Sequence, residues 1–390
     1  MTLSTRILPE FSRIGAADWA RLDHRDNPFV SHVFLGALEA SGALDPRLGW
    51  TPHHLAIYEG DVLAACAPSY VKTNSHGEFV FDWAWADAYQ RHGLAYYPKL
   101  LTGVPYSPVT GPRLLVRRGH PEPELLRQRL VQLAMDSCAE LELSSWHCNF
   151  VADDDCAALR AADLLPRQDW QFHWVNEGYA DFDDFLDRLR ARKRKNIRRE
   201  RRQVADAGIR FRWLRGDELS ETDLEFVQRC YEETFRQYGN HAALTRDFFA
   251  RLAANSGDGL RVALALRDGR PLAMSLFLLG GGRLYGRYWG CLEQIPGLHF
   301  ETAYYQGIEF CIAHGVGVFE SGAQGEHKIA RGFRPARTRS FHYLRDEVFR
   351  GPIARYLRQE TRWLLDYREQ LAAHDPFRED SRGHAMEDEE

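Results

Sequence analysis

Two spacings of apolar residues recur along the chain and predict its elements. Apolar residues at helical spacing predict helices over 27–41, 123–141, 181–207, 221–239, 245–254, 300–314 and 351–366. Shorter runs, several with a period of two, predict strands at 54–58, 62–70, 78–85, 100–104, 114–116, 143–149, 172–176, 209–214, 260–266, 272–280, 283–291, 316–321 and 338–343. Turn signals at 59–61 and 268–270 join neighbouring runs into hairpins.

The order strand–strand–strand–helix–strand occurs twice, at about 54–149 and 260–321, without sequence identity between the copies. This repeat predicts an α/β protein with mixed sheets and helices on their faces, in two domains at 1–170 and 171–376. The second domain would carry the helix 181–207. The polar, acidic residues 377–390 predict a disordered tail. A hydrophobic content of 44% suits a folded globular chain.

One segment of the chain has an unusually high density of positive charge. Between Arg188 and Arg202 ten of fifteen residues are basic, although the formal net charge of the chain is −5. Such a block repels itself unless an anionic ligand or an acidic surface lies against it. Helical spacing puts Lys193 on the apolar stripe of Leu186, Leu189, Ile197 and Val204, so we expect Lys193 to point inward. The candidate ligand contacts are Lys193, Arg194, Asn196 and Arg198; the alternative is a solvated helix anchored by its apolar stripe.

A second candidate segment is the aromatic stretch 81–89 with the following 96–99. On a strand, Asp82 would face away from the aromatic residues of 79–85 and offer a carboxylate. The candidate substrate-binding residues here are Asp82, Trp85, Asp87, Tyr97 and Lys99. An ordinary surface pair beside core aromatics explains the same pattern.

The third segment, 318–334, runs from a short apolar strand into two glycines and a polar cluster. The side chains of Glu320, Glu326 and His327 can take up protons, and Lys328 and Arg331 follow them. Groups of this kind at the end of a strand are typical of a catalytic site, and a charged loop that caps a helix is the alternative. The glycines at 280–282 join two strands and predict a hairpin turn.

Three stretches, Tyr70 to Arg113, Arg192 to Glu200 and Gly325 to Pro335, carry a resemblance over nearly the whole chain. They resemble the FemAB-like branch of the GNAT-type acyltransferases, a peptidoglycan biosynthesis/recognition group. The resemblance implies two tandem GNAT-like domains and transfer of an acyl or aminoacyl group to an amine. It implies a phosphate-bearing donor, acyl-CoA or aminoacyl-tRNA, and an amine acceptor that is a nucleotide- or lipid-linked muropeptide or another small metabolite. Nucleic acid would be a partner only if the donor is tRNA.

For such a transfer we expect one of Glu320, Glu326 and His327 to act as general base. Lys193, Arg194, Asn196, Arg198 and Arg331 are the expected phosphate contacts, and Lys328 is expected to contact the substrate. The GNAT pyrophosphate signature, Gln/Arg-x-x-Gly-x-Gly/Ala before a helix, is missing from 291–300, so the donor stays open.

Other classes are less compatible with the sequence. No apolar signal core or membrane-spanning stretch occurs, and the seven cysteines are scattered without a metal-binding spacing. We therefore expect a cytoplasmic protein without a bound metal. A non-catalytic GNAT-like module that binds an anionic glycan or nucleotide stays as the alternative to an enzyme. RNA binding through the basic helix ranks third, because no aromatic stacking platform accompanies it.

Overall fold

The computed structural model describes residues 3–322, 325–372 and 374–378. They form two compact units. Unit 1 contains residues up to Asp169 together with Ala243–Phe248 and Arg337–Leu365; unit 2 contains Trp170–Ala242, Phe249–Ala336 and the residues from Asp366. Segments 243–248 and 337–365, which the sequence-based division assigned to the C-terminal domain, pack with unit 1.

In the described residues the strands are β1 (Leu3–Leu8), β2 (Trp50–Pro52), β3 (His54–Glu59), β4 (Val62–Ala67), β5 (Ser69–Lys72), β6 (Lys99–Thr102), β7 (Leu115–Val116), β8 (Ser145–Cys148), β9 (Leu165–Val175), β10 (Ile209–Arg215), β11 (Leu260–Arg267), β12 (Arg270–Gly280), β13 (Arg283–Cys291), β14 (Val318–Glu320) and β15 (Arg334–Leu344). The helices are α1 (Ala16–Trp19), α2 (His32–Ala40), α3 (Trp83–Arg91), α4 (Pro123–Glu140), α5 (Asp153–Ala161), α6 (Phe182–Arg188), α7 (Ala191–Asp206), α8 (Glu221–Gln237), α9 (Arg246–Asn255), α10 (Leu298–Phe300), α11 (Gln306–His314) and α12 (Glu347–Ala372).

Unit 1 has two sheets. One is antiparallel with the strand order β1-β3-β4-β7, and the other has the order β15-β8-β6-β5-β2. In the second sheet β6 runs parallel to β8, and α4 lies between these two strands in the chain. Parallel neighbours need such a crossover. Leu126, Leu130 and Ala134 of α4 are fully buried in one apolar cluster with Ile57 and Trp146 of the strands.

Unit 2 repeats this arrangement with the strand order β10-β11-β12-β13-β14-β9. All neighbours are antiparallel except β13 and β14, which are parallel and are connected through α10, a π-helical turn (Glu301–Tyr305) and α11. The helical connection packs tightly on the sheet: a Cβ atom at Gly307 would lie 2.5 Å from the ring of Phe319 on β14. Each unit thus contains antiparallel strands followed by a helical crossover to a parallel strand, as the repeated element order predicted.

The predicted hairpins are present, and Gly281 and Gly282 supply the positive φ angles, 56° and 72°, of the β12–β13 turn. The predicted strand 78–85 is wrong. Its second half is the first turn of α3, and Phe79 before it has a φ of 61°. Asp82 is therefore the N-cap residue of a helix and not a strand residue opposite the aromatics.

The single helix predicted over 181–207 is also wrong. Leu189 has an extended backbone, with φ −83° and ψ 152°, and separates α6 from α7. The break has a tertiary cause: Leu189 is fully buried and forms an antiparallel bridge with Phe377. Phe377, predicted as the start of a disordered tail, is itself only 2% exposed, whereas residues 379–390 of that tail lie outside the described residues.

Candidate functional site

The basic helix α7 of unit 2 presents three different faces. At 100° per residue, Lys193, Ile197, Glu200 and Val204 share its inner face. Ile197 and Val204 are buried, and Lys193 is half-buried without a side-chain partner in the described part of the chain. Lys193 thus lies on the face that the sequence predicted, beside apolar neighbours.

A second face of α7 is neutralised by acidic side chains of the same unit. Arg194 lies 3.4 Å from Asp187, and Arg198 lies 3.0 Å from Asp183. Arg201 pairs with the buried Glu301 at 3.1 Å. The acidic surface that so dense a positive block requires is therefore provided, for this face, by α6 and the helical crossover. Asn196 is exposed and makes no side-chain contact among the described residues.

The inner face of α7 is tied to the segment after β14 by one ion pair, whose arginine is buried and whose carboxylate is partly buried. Arg331 is 7% exposed and donates to both oxygens of Glu200, at 2.9 and 3.0 Å. The Tyr305 hydroxyl also donates to Glu200 and accepts a hydrogen bond from Arg331 Nε at 2.9 Å. The guanidinium lies 3.5 Å above the ring of Phe300. Arg331, an expected phosphate contact, thus has its donors engaged within the protein.

Arg331 also fixes the backbone of the short 3₁₀ segment Glu326–Arg331, because its Nη1 donates to the carbonyl oxygen of His327 at 2.8 Å. The His327 side chain is exposed, and its Nε2 lies 3.0 Å from the Tyr304 hydroxyl. The part of the ring that is covered by neighbouring residues loses solvation, and this effect, aided by the charges of Arg331 and Lys328, lowers the pKa of His327 below its usual value. Its imidazole is therefore neutral at neutral pH and can accept a proton.

Lys328 lies beside this histidine and is almost fully buried. Its ammonium donates to the carbonyl oxygen of Gly322 at 2.7 Å. Burial lowers the pKa of Lys328 to about 7, with a smaller contribution from the charge of Arg287. A lysine that titrates near neutrality can be either a proton acceptor or a cationic hydrogen-bond donor.

Three aromatic rings, those of His299, Phe300 and Tyr304, lie around the His327 imidazole. His299, whose pKa burial lowers to about 4, lies against Trp289 with a ring separation of 4.6 Å. The pKa of Tyr304 is raised to about 12 by burial, so its hydroxyl keeps its proton. The protonated Tyr304 hydroxyl can therefore donate a hydrogen bond to Nε2 of the neutral His327.

The other two candidate bases lie in different environments. Glu320 is buried at the end of β14, accepts a hydrogen bond from Arg283 Nη1 at 2.9 Å and lies 3.8 Å from His173 Nε2. Glu326 is exposed and accepts a hydrogen bond of 2.6 Å from the Tyr367 hydroxyl. Of the three, His327 has the neutral proton-accepting atoms beside a hydroxyl and a buried lysine.

The candidate residues of unit 1 lie around one buried lysine. Lys99 Nζ donates to Ser75 at 2.9 Å, to Glu78 at 2.8 Å and to Asp82 at 2.5 Å. Lys99 is fully buried, and Glu78 and Asp82 are each less than 5% exposed. Tyr97 reaches the same cluster through its hydroxyl, 2.8 Å from Ser75.

The pKa values of the two carboxyl groups in this cluster are shifted in opposite directions. Burial raises the pKa of Glu78 to about 7, against the opposing effect of Lys99. Burial also acts on Asp82, but the charges of Lys99 and His147 together with hydrogen bonds outweigh it and lower its pKa to about 2. The pKa of Lys99 is raised, because Glu78 and Asp82 outweigh its burial.

Two predicted residues of unit 1 have other surroundings. Trp85 is 3% exposed and packs edge-on against His342, with ring centroids 5.0 Å apart. Asp87 is exposed on α3, and its carboxylate makes no contact among the described residues. Asp87 is therefore not part of the cluster that holds Asp82 and Lys99.

The sequence patterns did not indicate several residues that lie around Lys99 in unit 1 and around His327 and Arg331 in unit 2. These residues are Ser75, Glu78, Tyr96, His147 and His342 in unit 1, and Glu200, His299, Tyr304 and Tyr305 in unit 2. One signal was available. Only five of the 50 basic residues are lysines, and three of them, Lys72, Lys99 and Lys328, are at most 1% exposed. In a chain that otherwise uses arginine, these three lysines mark places where the protein buries a compact ammonium group.

Among the described residues, no group of three or more His, Cys, Asp or Glu side chains could hold a metal ion. No helix in the same residues is long and apolar enough to cross a membrane.

The repeated crossover to a parallel strand defines a mixed α/β protein with two units of similar architecture. The chain belongs to the FemAB-like family, described as peptidoglycan biosynthesis/recognition, whose model matches residues 10–379.

The chain is also similar to several solved structures. The C-terminal DUF2156 domain of a putative lysylphosphatidylglycerol synthetase from Agrobacterium fabrum is 9% identical and matches 89% of this chain and 95% of its own, with a TM-score of 0.51. FemX is 10% identical over 90% of this chain and 100% of its own, with a TM-score of 0.49. A tandem GNAT protein from the clavulanic acid biosynthesis pathway is 12% identical over 88% and 98%, with a TM-score of 0.41. No curated protein matches the chain.

Proposed function

We propose that this protein is an N-acyltransferase that transfers an acyl or aminoacyl group to the amine of a peptidoglycan precursor. The observation that carries the proposal is the neutral His327, hydrogen-bonded to Tyr304 and adjacent to the buried Lys328, in the segment after β14 of a GNAT-like unit. Membership of a peptidoglycan biosynthesis/recognition family supports this class of acceptor.

In the proposed reaction an amine nitrogen attacks the acyl carbonyl carbon. The new C–N bond forms, and the C–S or C–O bond to the donor breaks, depending on whether the donor is acyl-CoA or aminoacyl-tRNA. The proton released by the amine passes to His327, directly or through the Tyr304 hydroxyl 3.0 Å away, and is then donated to the departing sulfur or oxygen atom, which leaves as the free thiol or alcohol. Protonated Lys328 would stabilise the negative charge that develops on the carbonyl oxygen.

Arg331 has a positioning role in this scheme. It joins Glu200 of α7 to the backbone of His327, so it holds the base in place without contacting a substrate. Among the cations predicted to bind phosphate, Lys193 has no acidic partner in the described residues and is the one that we assign to the donor. Arg194 and Arg198 would have to leave Asp187 and Asp183 to bind phosphate.

Product formation by the full-length protein tests the proposal. The purified protein is incubated with acetyl-CoA or with aminoacyl-tRNA and a muropeptide acceptor, and the products are identified by mass spectrometry. We expect His327→Ala to lose about 10²–10⁴-fold in turnover, the usual contribution of a general base. Glu326→Gln is the matched control, because the neighbouring Glu326 is exposed and its change should leave turnover within about twofold.

Two results would contradict the assignment. If His327→Ala and Glu326→Gln both keep full turnover, the base is elsewhere. Saturable binding of nucleotide or muropeptide without product from either donor would instead identify a non-catalytic binding module.

A further inference from the structure

Unit 1 carries most of the aromatic side chains that are exposed in the described residues. Six Phe, Trp and Tyr side chains are exposed there; five lie within residues 79–83 or on α12, and the sixth is Tyr238 of unit 2. Phe81 and Trp363 have the largest exposed fractions of the five, 53% and 56%. Single exposed aromatics are ordinary, whereas a group of them on neighbouring elements marks an interaction surface.

One largely buried guanidinium connects these two segments. Arg167 Nη1 donates to the carbonyl oxygen of Phe81 at 2.7 Å, and Nη2 and Nε donate to the two carboxylate oxygens of Glu360 on α12 at 2.7 and 2.9 Å. The Tyr356 hydroxyl donates to the same carboxylate at 3.3 Å. Trp363 follows Tyr356 by seven residues, so it lies on the same side of α12 about 10 Å further along. We call Phe81, Tyr356 and Trp363 the aromatic group.

Three arginines lie beside the aromatic group on α12. Arg355, Arg358 and Arg362 follow one another at spacings of three and four residues and share a sector of about 60°, which begins about 80° from Trp363 around the helix. All three are exposed, and none has an ion pair or a side-chain hydrogen bond in the part of the chain that the structure describes. We call these three residues the arginine row.

The charge of the arginine row decides which kind of partner fits. A two-fold contact between this surface and a second copy of the chain would place the arginine rows of both copies in one interface, where like charges repel. The partner that fits is therefore anionic. Trp and Tyr rings prefer the headgroup level of a bilayer, and arginine side chains reach lipid phosphates from the apolar boundary below.

We propose that the aromatic group and the arginine row together dock unit 1 onto a bilayer that contains anionic lipid. Apolar side chains beside a basic helix face are typical of an interfacial helix, whose apolar residues enter the acyl-chain boundary while its cations stay among the headgroups. Nucleic acid, another polyanion, is bound mainly in basic grooves with stacking rings, whereas the arginine row lies on the exposed face of one helix. The proposal goes beyond the acyl transfer proposed above and does not depend on it.

The two parts of the surface contribute to binding in different ways. The arginine row is attracted by the lipid charge, and this attraction falls off within a Debye length, about 10 Å at 0.1 M salt and about 3 Å at 1 M. The aromatic group gains free energy from the burial of apolar area, which salt does not screen. Binding should therefore need both anionic lipid and the rings, and it should weaken as salt is added.

Co-sedimentation of the full-length protein with lipid vesicles tests the proposal. The vesicles contain phosphatidylcholine alone or phosphatidylcholine with an equal part of phosphatidylglycerol, and binding is measured at about 0.1 M and about 1 M salt. We expect the mixed vesicles to bind the protein at the lower salt concentration, and to bind it at least about tenfold less tightly at the higher one. The vesicles of phosphatidylcholine alone should bind it weakly at both.

Removal of the arginine row separates this surface from the overall charge of the protein. The triple variant Arg355→Gln/Arg358→Gln/Arg362→Gln should bind mixed vesicles about a hundredfold more weakly, because each basic residue near an anionic bilayer contributes about fivefold. The matched control removes the same charge from exposed arginines of α7, outside this surface, and should change binding by less than about threefold at about 0.1 M salt. The control substitutions are Arg192→Gln, Arg199→Gln and Arg202→Gln.

The double variant Phe81→Ser/Trp363→Gln tests the aromatic group. Both side chains are more than half exposed, so the fold should tolerate the changes, which circular dichroism and the unfolding midpoint check. We expect binding to the mixed vesicles to weaken at least about tenfold, because the apolar area that enters the bilayer is lost. Tyr238→Ser, at the exposed aromatic of unit 2, is the matched control and should bind like the parent protein.

A fluorescent label locates the contact on the protein. Gln359→Cys puts the label on α12 between the arginine row and the aromatic group, and Gln203→Cys puts it on α7. The seven native cysteines are all buried and should not react. Mixed vesicles should shift the emission of the label at position 359 to shorter wavelength and leave that of the label at position 203 unchanged.

Four results would overturn the proposal. One is that mixed vesicles do not bind the protein at about 0.1 M salt. Another is an equal loss of binding in the α12 and α7 arginine variants. A label at position 359 that responds to an RNA duplex and not to vesicles would identify a nucleic-acid surface. Without vesicle binding, a dimer that Trp363→Gln dissociates in analytical ultracentrifugation would identify self-association.

Discussion

Lys99→Met is the substitution whose cost can be worked out most fully from the structure. It removes the only cation that donates to Ser75, Glu78 and Asp82 in the described residues, and leaves two carboxylates buried next to each other. One oxygen of each carboxylate already has no hydrogen-bond partner there. Removal of one partner from a buried ion pair costs about 3–5 kcal/mol, and we expect at least 3 kcal/mol of unfolding free energy to be lost near pH 8.

The loss should depend on pH in a defined direction. In the native protein Lys99 opposes the rise of the Glu78 pKa and lowers the pKa of Asp82 to about 2. Without Lys99 both carboxyl groups have a higher pKa in the folded state, so they bind protons that the unfolded chain has released. Stability of the variant then decreases as pH rises, and its deficit should be smaller near pH 5.5 than near pH 8.

Urea denaturation followed by tryptophan fluorescence measures both effects. Lys195→Met, at an exposed lysine without a partner in the described residues, is the control and should change the unfolding free energy by less than about 0.5 kcal/mol. The triple variant with Glu78→Gln and Asp82→Asn should recover most of the loss, since no buried charge is left. A loss below about 1 kcal/mol at pH 8, or the same loss at both pH values, would refute the reasoning.

Three further predictions concern other parts of the chain. Arg331→Met should lower the unfolding free energy by about 3–5 kcal/mol, because it leaves Glu200 without its cation, and Glu200→Gln in the same chain should restore part of it in denaturation curves; additive losses would contradict the pairing. Phe377→Ala should cost about 3–5 kcal/mol by removing a ring that is 2% exposed, and a neutral effect would show that the contact with Leu189 does not stabilise the fold. Iodoacetamide should modify none of the seven cysteines in the native protein and all seven after denaturation, as measured by intact mass, because burial makes their thiols inaccessible; adducts before unfolding would contradict this.

Most regular elements could be predicted because their local pattern and their tertiary environment agree. The β12–β13 hairpin has turn glycines between two apolar runs, and α4 has an apolar stripe that packs on the sheet. Local preference and burial point to the same structure in these cases.

The prediction of a strand over 78–85 is wrong because the alternating pattern of a strand and the i, i+4 pattern of a helix fit the same few aromatic residues. Aromatic residues at alternate positions suggested a strand, but Trp85 and Tyr89, four residues apart, are the buried pair, whereas Phe81 and Trp83 are exposed. Over eight residues a period of two cannot be distinguished from the i, i+4 spacing of a helix that begins inside the segment.

The break between α6 and α7 depends on a residue nearly two hundred positions away. Nothing local interrupts the helical pattern of 181–207, and the interruption at Leu189 comes from its bridge to Phe377. Pairing between distant segments is not encoded in either segment alone.

The sequence by itself determined that the chain forms two mixed α/β units and that residues 188–202 require negative charge nearby, because periodicity and charge density are local properties. Only the tertiary structure decided which charges are compensated. It paired Arg194, Arg198 and Arg201 with acids, and it brought Glu200 to Arg331 beside His327. Pairing and desolvation arise only where segments meet in space, and these two effects shift the pKa values of Asp82, His327 and Lys328.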